Sequence, residues 1–166
     1  MVGGTILGIS PGTKYVGVAV LRNGDLYDWK IKSYKGVWSD EKLQKALSYI
    51  EKLVITHVIH QIACKVPHNS RSSNWVNQMI EKIKEIALEY KIKFEVYSIE
   101  DLKNMFKMHF ENRYILAEHV ARRFPELTDI FLRERKNKHK YHIRLFEAIA
   151  VGLHCHVNIK WIIHPM

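Results

Sequence analysis

A chain of 166 residues that is 47% hydrophobic can bury one sizeable core, and domain-size statistics favour a single domain over residues 1–166. No apolar run reaches the roughly 18 residues of a membrane span, and the N-terminus lacks a signal-peptide pattern, so a soluble cytoplasmic protein with no membrane partner is expected. The formal charge of +9 speaks for polyanionic partners, while two cysteines, Cys64 and Cys155, are too few for a disulfide framework or a paired zinc motif.

Thr5 to Leu21 reads as strand, turn, strand: an apolar run ends at Ser10, Pro11-Gly12 turns, and a second run rich in β-branched residues returns. The first run is too continuous for an edge strand, which places it at the centre of a sheet covered on both faces, with Ser10 at its C-terminal end. Asn23-Gly24-Asp25 leads into a third strand, Leu26 to Tyr34. Ser39, Asp40 and Glu41 then start a helix whose stripe Leu43, Ala46, Leu47, Ile50 and Leu53 faces a core. Val54 to Ala63 has the composition of a buried fourth strand.

A polar stretch, Pro67 to Asn74, precedes a helix with a broad apolar face from Trp75 to Tyr90, and Lys93 to Ser98 alternates as a fifth strand. The remainder is helical: Asp101 to Phe110, Asn112 to Phe124 ahead of Pro125, and Tyr141 to His156. Asn158 to Ile163 fits either a short strand or an apolar plug. A meander followed by strands alternating with helices predicts an α/β protein with a mixed sheet.

Charge is unevenly spread. Segment 133–144 carries Arg133, Arg135, Lys136, Lys138, Lys140 and Arg144 against Glu134, a concentration suited to nucleic acid, or else a solvated loop that aids solubility. Arg71, among Ser70, Ser73 and Asn74 at a helix start, is a second candidate for phosphate contact, with an ordinary capped loop as the alternative. Trp75, Tyr97 and Trp161 could stack bases, although their apolar neighbours favour core packing.

The run Ile6-Leu7-Gly8-Ile9-Ser10-Pro11-Gly12-Thr13-Lys14-Tyr15-Val16-Gly17-Val18 resembles the first motif of the RNase H-like superfamily. The likeness is to its RuvC-type Holliday-junction resolvases and pre-rRNA-processing nucleases, where Gly-Ile-Asp-x-Gly supplies a ligand for catalytic magnesium. It implies a five-stranded mixed sheet with helices on both faces, and acids drawn from the ends of the first and fourth strands and from the last helix. Ser10 stands at the first of these positions. Val58-Ile59-His60-Gln61 is similar to the family's Ala-Ile-Glu-Gln and puts His60 in the glutamate's place. Phe146-Glu147-Ala148-Ile149-Ala150 resembles Asp-Ala-Leu-Ala, making Glu147 a longer substitute for an aspartate, with Arg144 one turn earlier.

Two-metal cleavage of a phosphodiester needs several hard oxygen ligands for paired magnesium ions, and here one carboxylate of the set remains. The expectation is therefore a nucleic-acid-binding protein of RuvC-like ancestry with a degenerate site, and a homodimer by the same resemblance. An alternative is an active endonuclease in which His60 and Glu147 hold manganese or zinc, with His60 as a general base; any cofactor would then be Mg or Mn. A scaffold without a nucleic-acid role is a third reading. The Gly-Thr turn also resembles actin-like ATPases, which need two such domains. His154-Cys155-His156, with His139 and His142, raises zinc, but adjacent helical residues face different ways.

Overall fold

The architecture grows outward from β1 (Thr5–Ser10), which is buried at every position. β1 pairs antiparallel with β2 (Tyr15–Arg22) on one side and parallel with β4 (Gln61–Lys65) on the other. β3 (Asp25–Ser33) extends the antiparallel side and β5 (Lys93–Tyr97) the parallel side, giving the order β3-β2-β1-β4-β5. This computed structural model describes residues 4–67, 74–106, 113–136 and 142–163.

Strand alternation divides the apolar residues between two layers. Leu7, Ile9, Val16, Val18, Val20, Ile62 and Cys64 pack with α1 (Asp40–Thr56) and α2 (Asn74–Glu89). Ile6, Ala19, Leu21 and Ala63 point the other way, into a core built with α3 (Ile99–Phe106), α4 (Arg113–Arg123), α5 (Thr128–Lys136) and α6 (Ile143–Ile163). The fold is thus a five-stranded mixed α/β sheet with helices on both faces, as the sequence implied. Among the described residues no helix is long and apolar enough to cross a membrane.

α6 lies unusually close to the sheet. A Cβ on Gly8 would collide with the Ala148 carbonyl, and one on Gly17 with the backbone of Arg144 and Leu145. These two strand glycines therefore give the first turns of α6 room to settle against β1 and β2.

Three boundaries differ from expectation. Residues Val54 to Thr56 finish α1 instead of opening a strand, because Leu53 and Val54 continue its buried stripe while Ile55 is exposed. Tertiary burial here outweighs the strand preference of β-branched residues. The helix closes with His57 N–H donating to the Leu53 carbonyl, and Val58 takes a positive φ of 50° before the chain enters β4 at Gln61. The tail Asn158 to Ile163 is not a strand; its backbone continues α6. A helix not foreseen, α5, follows a 3-10 turn at Pro125–Leu127 and contains the start of the basic segment.

Candidate nucleic-acid site at the ends of the central strands

β1 and β4 run parallel, with Ile9 opposite Cys64, so they finish side by side in Ser10 and Lys65. Both residues lie on the α6 side of the sheet, one position past Ile9 and Cys64, which face the other layer. Glu147, fully buried in α6, meets them both. Ser10 Oγ donates to Glu147 Oε1 at 3.2 Å, and Lys65 Nζ stands 2.9 Å from Oε2 as a close ion pair without hydrogen-bond alignment. Arg144, one turn earlier on α6, brings its guanidinium within 3.5 Å of Oε1.

The structure therefore brings Ser10, Glu147 and Arg144 together, as the family motifs align them. It does not bring His60 to them. His60 precedes β4, and its Nδ1 accepts the Thr5 N–H at 3.0 Å. That is the opposite end of the strand from Ser10, about five residues or roughly 16 Å away. With the fourth strand read as Val54 to Ala63, the motif alignment puts His60 in the site, whereas the strand runs from Gln61 to Lys65. Lys65 holds that position, and the signal that could have found it is Val54 continuing the helical stripe of α1.

The donor set does not fit a pair of magnesium ions. Among the described residues Glu147 is the one carboxylate in the cluster, and two cations already face it. At an effective dielectric constant of about 20, each fixed cation roughly 5 Å from a dication opposes it by about 7 kcal/mol, and one carboxylate cannot offset two. His60 and Glu147 are likewise too far apart to share a softer ion. Among the described residues no three His, Cys, Asp or Glu side chains converge on a common point, and this includes His142, His154, Cys155 and His156.

What the cluster offers instead is positive charge at a helix start. His142 sits just ahead of α6, its carbonyl accepting from Leu145 and Phe146 N–H. The buried carboxylate of Glu134, on α5, takes a hydrogen bond from His142 N–H at 3.0 Å and contacts Nδ1 at 2.8 Å. This clasp joins the end of α5 to the beginning of α6 and so brings both ends of the basic segment to the helix terminus beside Arg144. Arg133, Arg135 and Lys136 project outward from α5 while Glu134 turns in. Helix N-termini with adjacent cations favour phosphate and other anions. Arg71, Lys138, His139 and Lys140 lie outside the described residues, as does the Trp161 side chain.

The other aromatic candidates divide as well. Tyr97 is buried and stacks on His154 with ring centroids 4.3 Å apart, and Trp75 packs edge-on to Trp38 in the α1–α2 layer, so neither is displayed for base stacking. Both cysteines are free and buried; burial pushes the Cys64 thiol up to about 12 and the Cys155 thiol up to about 11.

No family model and no curated protein matches the sequence. Solved structures do match the fold. Thermus thermophilus RuvC superposes with a TM-score of 0.69 at 13% identity over 96% of each chain. The same protein in complex with Holliday junction substrate gives 0.64 at 14% identity, again over 96% of each chain. The yeast mitochondrial Holliday junction resolvase Ydc2 gives 0.59 at 11% identity, over 93% of this chain and 80% of that one. The chain has the RNase H-like fold in its RuvC-like form.

Proposed function

We propose that this RuvC-like protein binds structured nucleic acid, through the N-terminal end of α6 and the neighbouring basic segment, without cutting it. The observation that carries the reading is Lys65 Nζ at 2.9 Å from Glu147 Oε2, with Arg144 on the other oxygen. In this arrangement protein cations stand against the acid where the resemblance calls for metal ions. A phosphate approaching the α6 terminus meets Arg144, the helix dipole and Arg133, Arg135 and Lys136 nearby. The resolvase neighbours, one of them bound to a Holliday junction, support a branched nucleic acid as the ligand class.

The competing nuclease reading, with His60 and Glu147 as joint ligands, has no geometric support because His60 lies at the start of β4, against Thr5, while Glu147 of α6 meets its end at Lys65. A pure scaffold predicts no nucleic-acid binding. Titration of four-way-junction DNA, duplex DNA and structured RNA at several salt concentrations separates these. The proposal expects binding that weakens steeply with salt, since phosphate contacts release counterions, and that survives chelation of divalent ions. Salt-insensitive or negligible binding to all three would leave the scaffold in front.

A further inference from the structure

A second concentration of positive charge lies away from the α6 site, on the opposite face of the sheet. Alternate residues of and beyond edge strand β3, Lys30, Lys32 and Tyr34, share one side of the strand. Facing them, α1 presents Lys42, Lys45, Tyr49 and Lys52, spaced so that they form a single stripe along the helix. Between strand and helix is an open furrow of about 350 Å³ lined by Lys32, Ser33, Tyr34, Lys35, Lys42, Lys45 and Tyr49.

The furrow is ordered from below. Tyr34 packs edge-on to buried Trp38, and Lys32 Nζ lies 4.3 Å above the Tyr49 ring. Lys42 Nζ donates to the Val37 carbonyl, which fixes the strand-to-helix connection against the start of α1. Acids are few: Glu41 pairs with Lys45 at 3.4 Å, and Asp28 engages His57 at 3.5 Å. Gathering like charges costs stability. Burial first, then Lys30 and Lys52, hold the Lys32 ammonium below the ordinary lysine range. Side chains kept in such a row, with more lysines than neighbouring carboxylates, suit an external polyanion.

We infer that the β3–α1 furrow is a second nucleic-acid-binding surface, which takes the phosphate backbone of a strand or duplex arm distinct from the one at α6. Lys42 to Lys52 extends over about 15 Å at the α-helical rise of about 1.5 Å per residue, a length matching about four phosphates along one strand. The cations are all lysines, point charges that grip a backbone without reading bases. No large apolar side chain stands exposed in the furrow lining to anchor a peptide, which favours nucleic acid over an acidic protein segment. Two separated phosphate surfaces on one chain fit a branched ligand whose arms diverge.

This inference rests on the proposed nucleic-acid function, and one experiment separates their failures. Lys45 lines the furrow, Lys30 and Lys52 flank it beside Lys32, and all three are exposed, so Lys30→Gln/Lys45→Gln/Lys52→Gln leaves the core intact, which an unchanged thermal midpoint verifies. A charge-matched control carries Lys82→Gln/Lys84→Gln/Lys91→Gln, on and just after α2. Binding of wild type and both variants to duplex and four-way-junction DNA is measured against salt, with vesicles containing phosphatidylserine as a parallel probe. The furrow variant should lower the slope of log K against log salt by about 2.7 on duplex DNA, about 0.9 for each phosphate no longer neutralised, while the control leaves it unchanged. Equal slopes for wild type and furrow variant would overturn the furrow alone. No binding by wild type would overturn both readings, and loss confined to vesicle binding would reassign the furrow to an anionic membrane surface.

Discussion

At the level of single residues, the pair Lys65–Glu147 decides what this end of the sheet can do. Both side chains are almost wholly buried, so each is tolerated because the other is present. Glu147→Ala should destabilise the protein by about 3–5 kcal/mol in urea unfolding, since it strands the Lys65 ammonium. Lys65→Met/Glu147→Leu should cost clearly less than the sum of its two single substitutions, and strict additivity would show that the pair is not coupled. The buried Cys64 thiol gives a second handle. Its unfolded value of 9.0 is raised to about 12 in the folded chain, so folding favours the protonated form. Stability from this source is complete below pH 9 and is lost as pH rises from there toward 12. Native protein at pH 8 should accordingly resist thiol-specific alkylation at Cys64 and become reactive only on unfolding.

Residue identity alone reveals part of this site. Ser10 and Glu147 are legible because the resemblance to the RuvC-like motifs aligns them with the end of the first strand and with the last helix. Lys65 is not, because its role depends on where β4 begins. A strand displaced by a few residues exchanges one strand-end side chain for another, and His60 then takes the place that belongs to Lys65.

At the level of elements, the junction between α1 and β4 explains that exchange and makes its own prediction. Val54-Ile55-Thr56 has strand-like composition, yet the helix runs through it since Leu53 and Val54 complete its buried face. The change of direction falls on Val58, an exposed β-branched residue at φ 50°. A left-handed conformation costs an ordinary residue roughly 1–2 kcal/mol, and glycine regains most of this at some entropic cost. Val58→Gly should therefore raise stability by about 0.5–1 kcal/mol, read as a higher urea midpoint with unchanged slope; a lower midpoint would speak against strain at this position. The packing of α6 predicts the reverse sign elsewhere. Gly17→Ala forces a methyl into the backbone of Arg144 and Leu145, and should destabilise by about 1–3 kcal/mol while displacing Arg144 from the site.

Across the whole molecule, the sheet order and the two-sided covering follow from patterns that survive local errors. A fully apolar first run implies a central strand, and strands alternating with amphipathic helices imply parallel neighbours. Helix ends in the second half are less legible, because short amphipathic segments separated by charged runs lack strong stop signals; α5 and the full length of α6 emerge only in the folded chain. The assembled molecule displays cations on both faces of one sheet, at the α6 terminus and in the β3–α1 furrow. At the α6 terminus Ser10, Lys65 and Arg144 surround the buried Glu147 carboxylate.

Binding without cleavage is tested most directly by incubating four-way-junction DNA at saturating protein with magnesium or manganese, scoring complex and cut strands in the same samples. Retained complex and no cleavage product with either ion is the expected result. Manganese- or magnesium-dependent product that disappears in Glu147→Ala, in protein shown to remain folded, would overturn it and restore the pocket as a working nuclease centre.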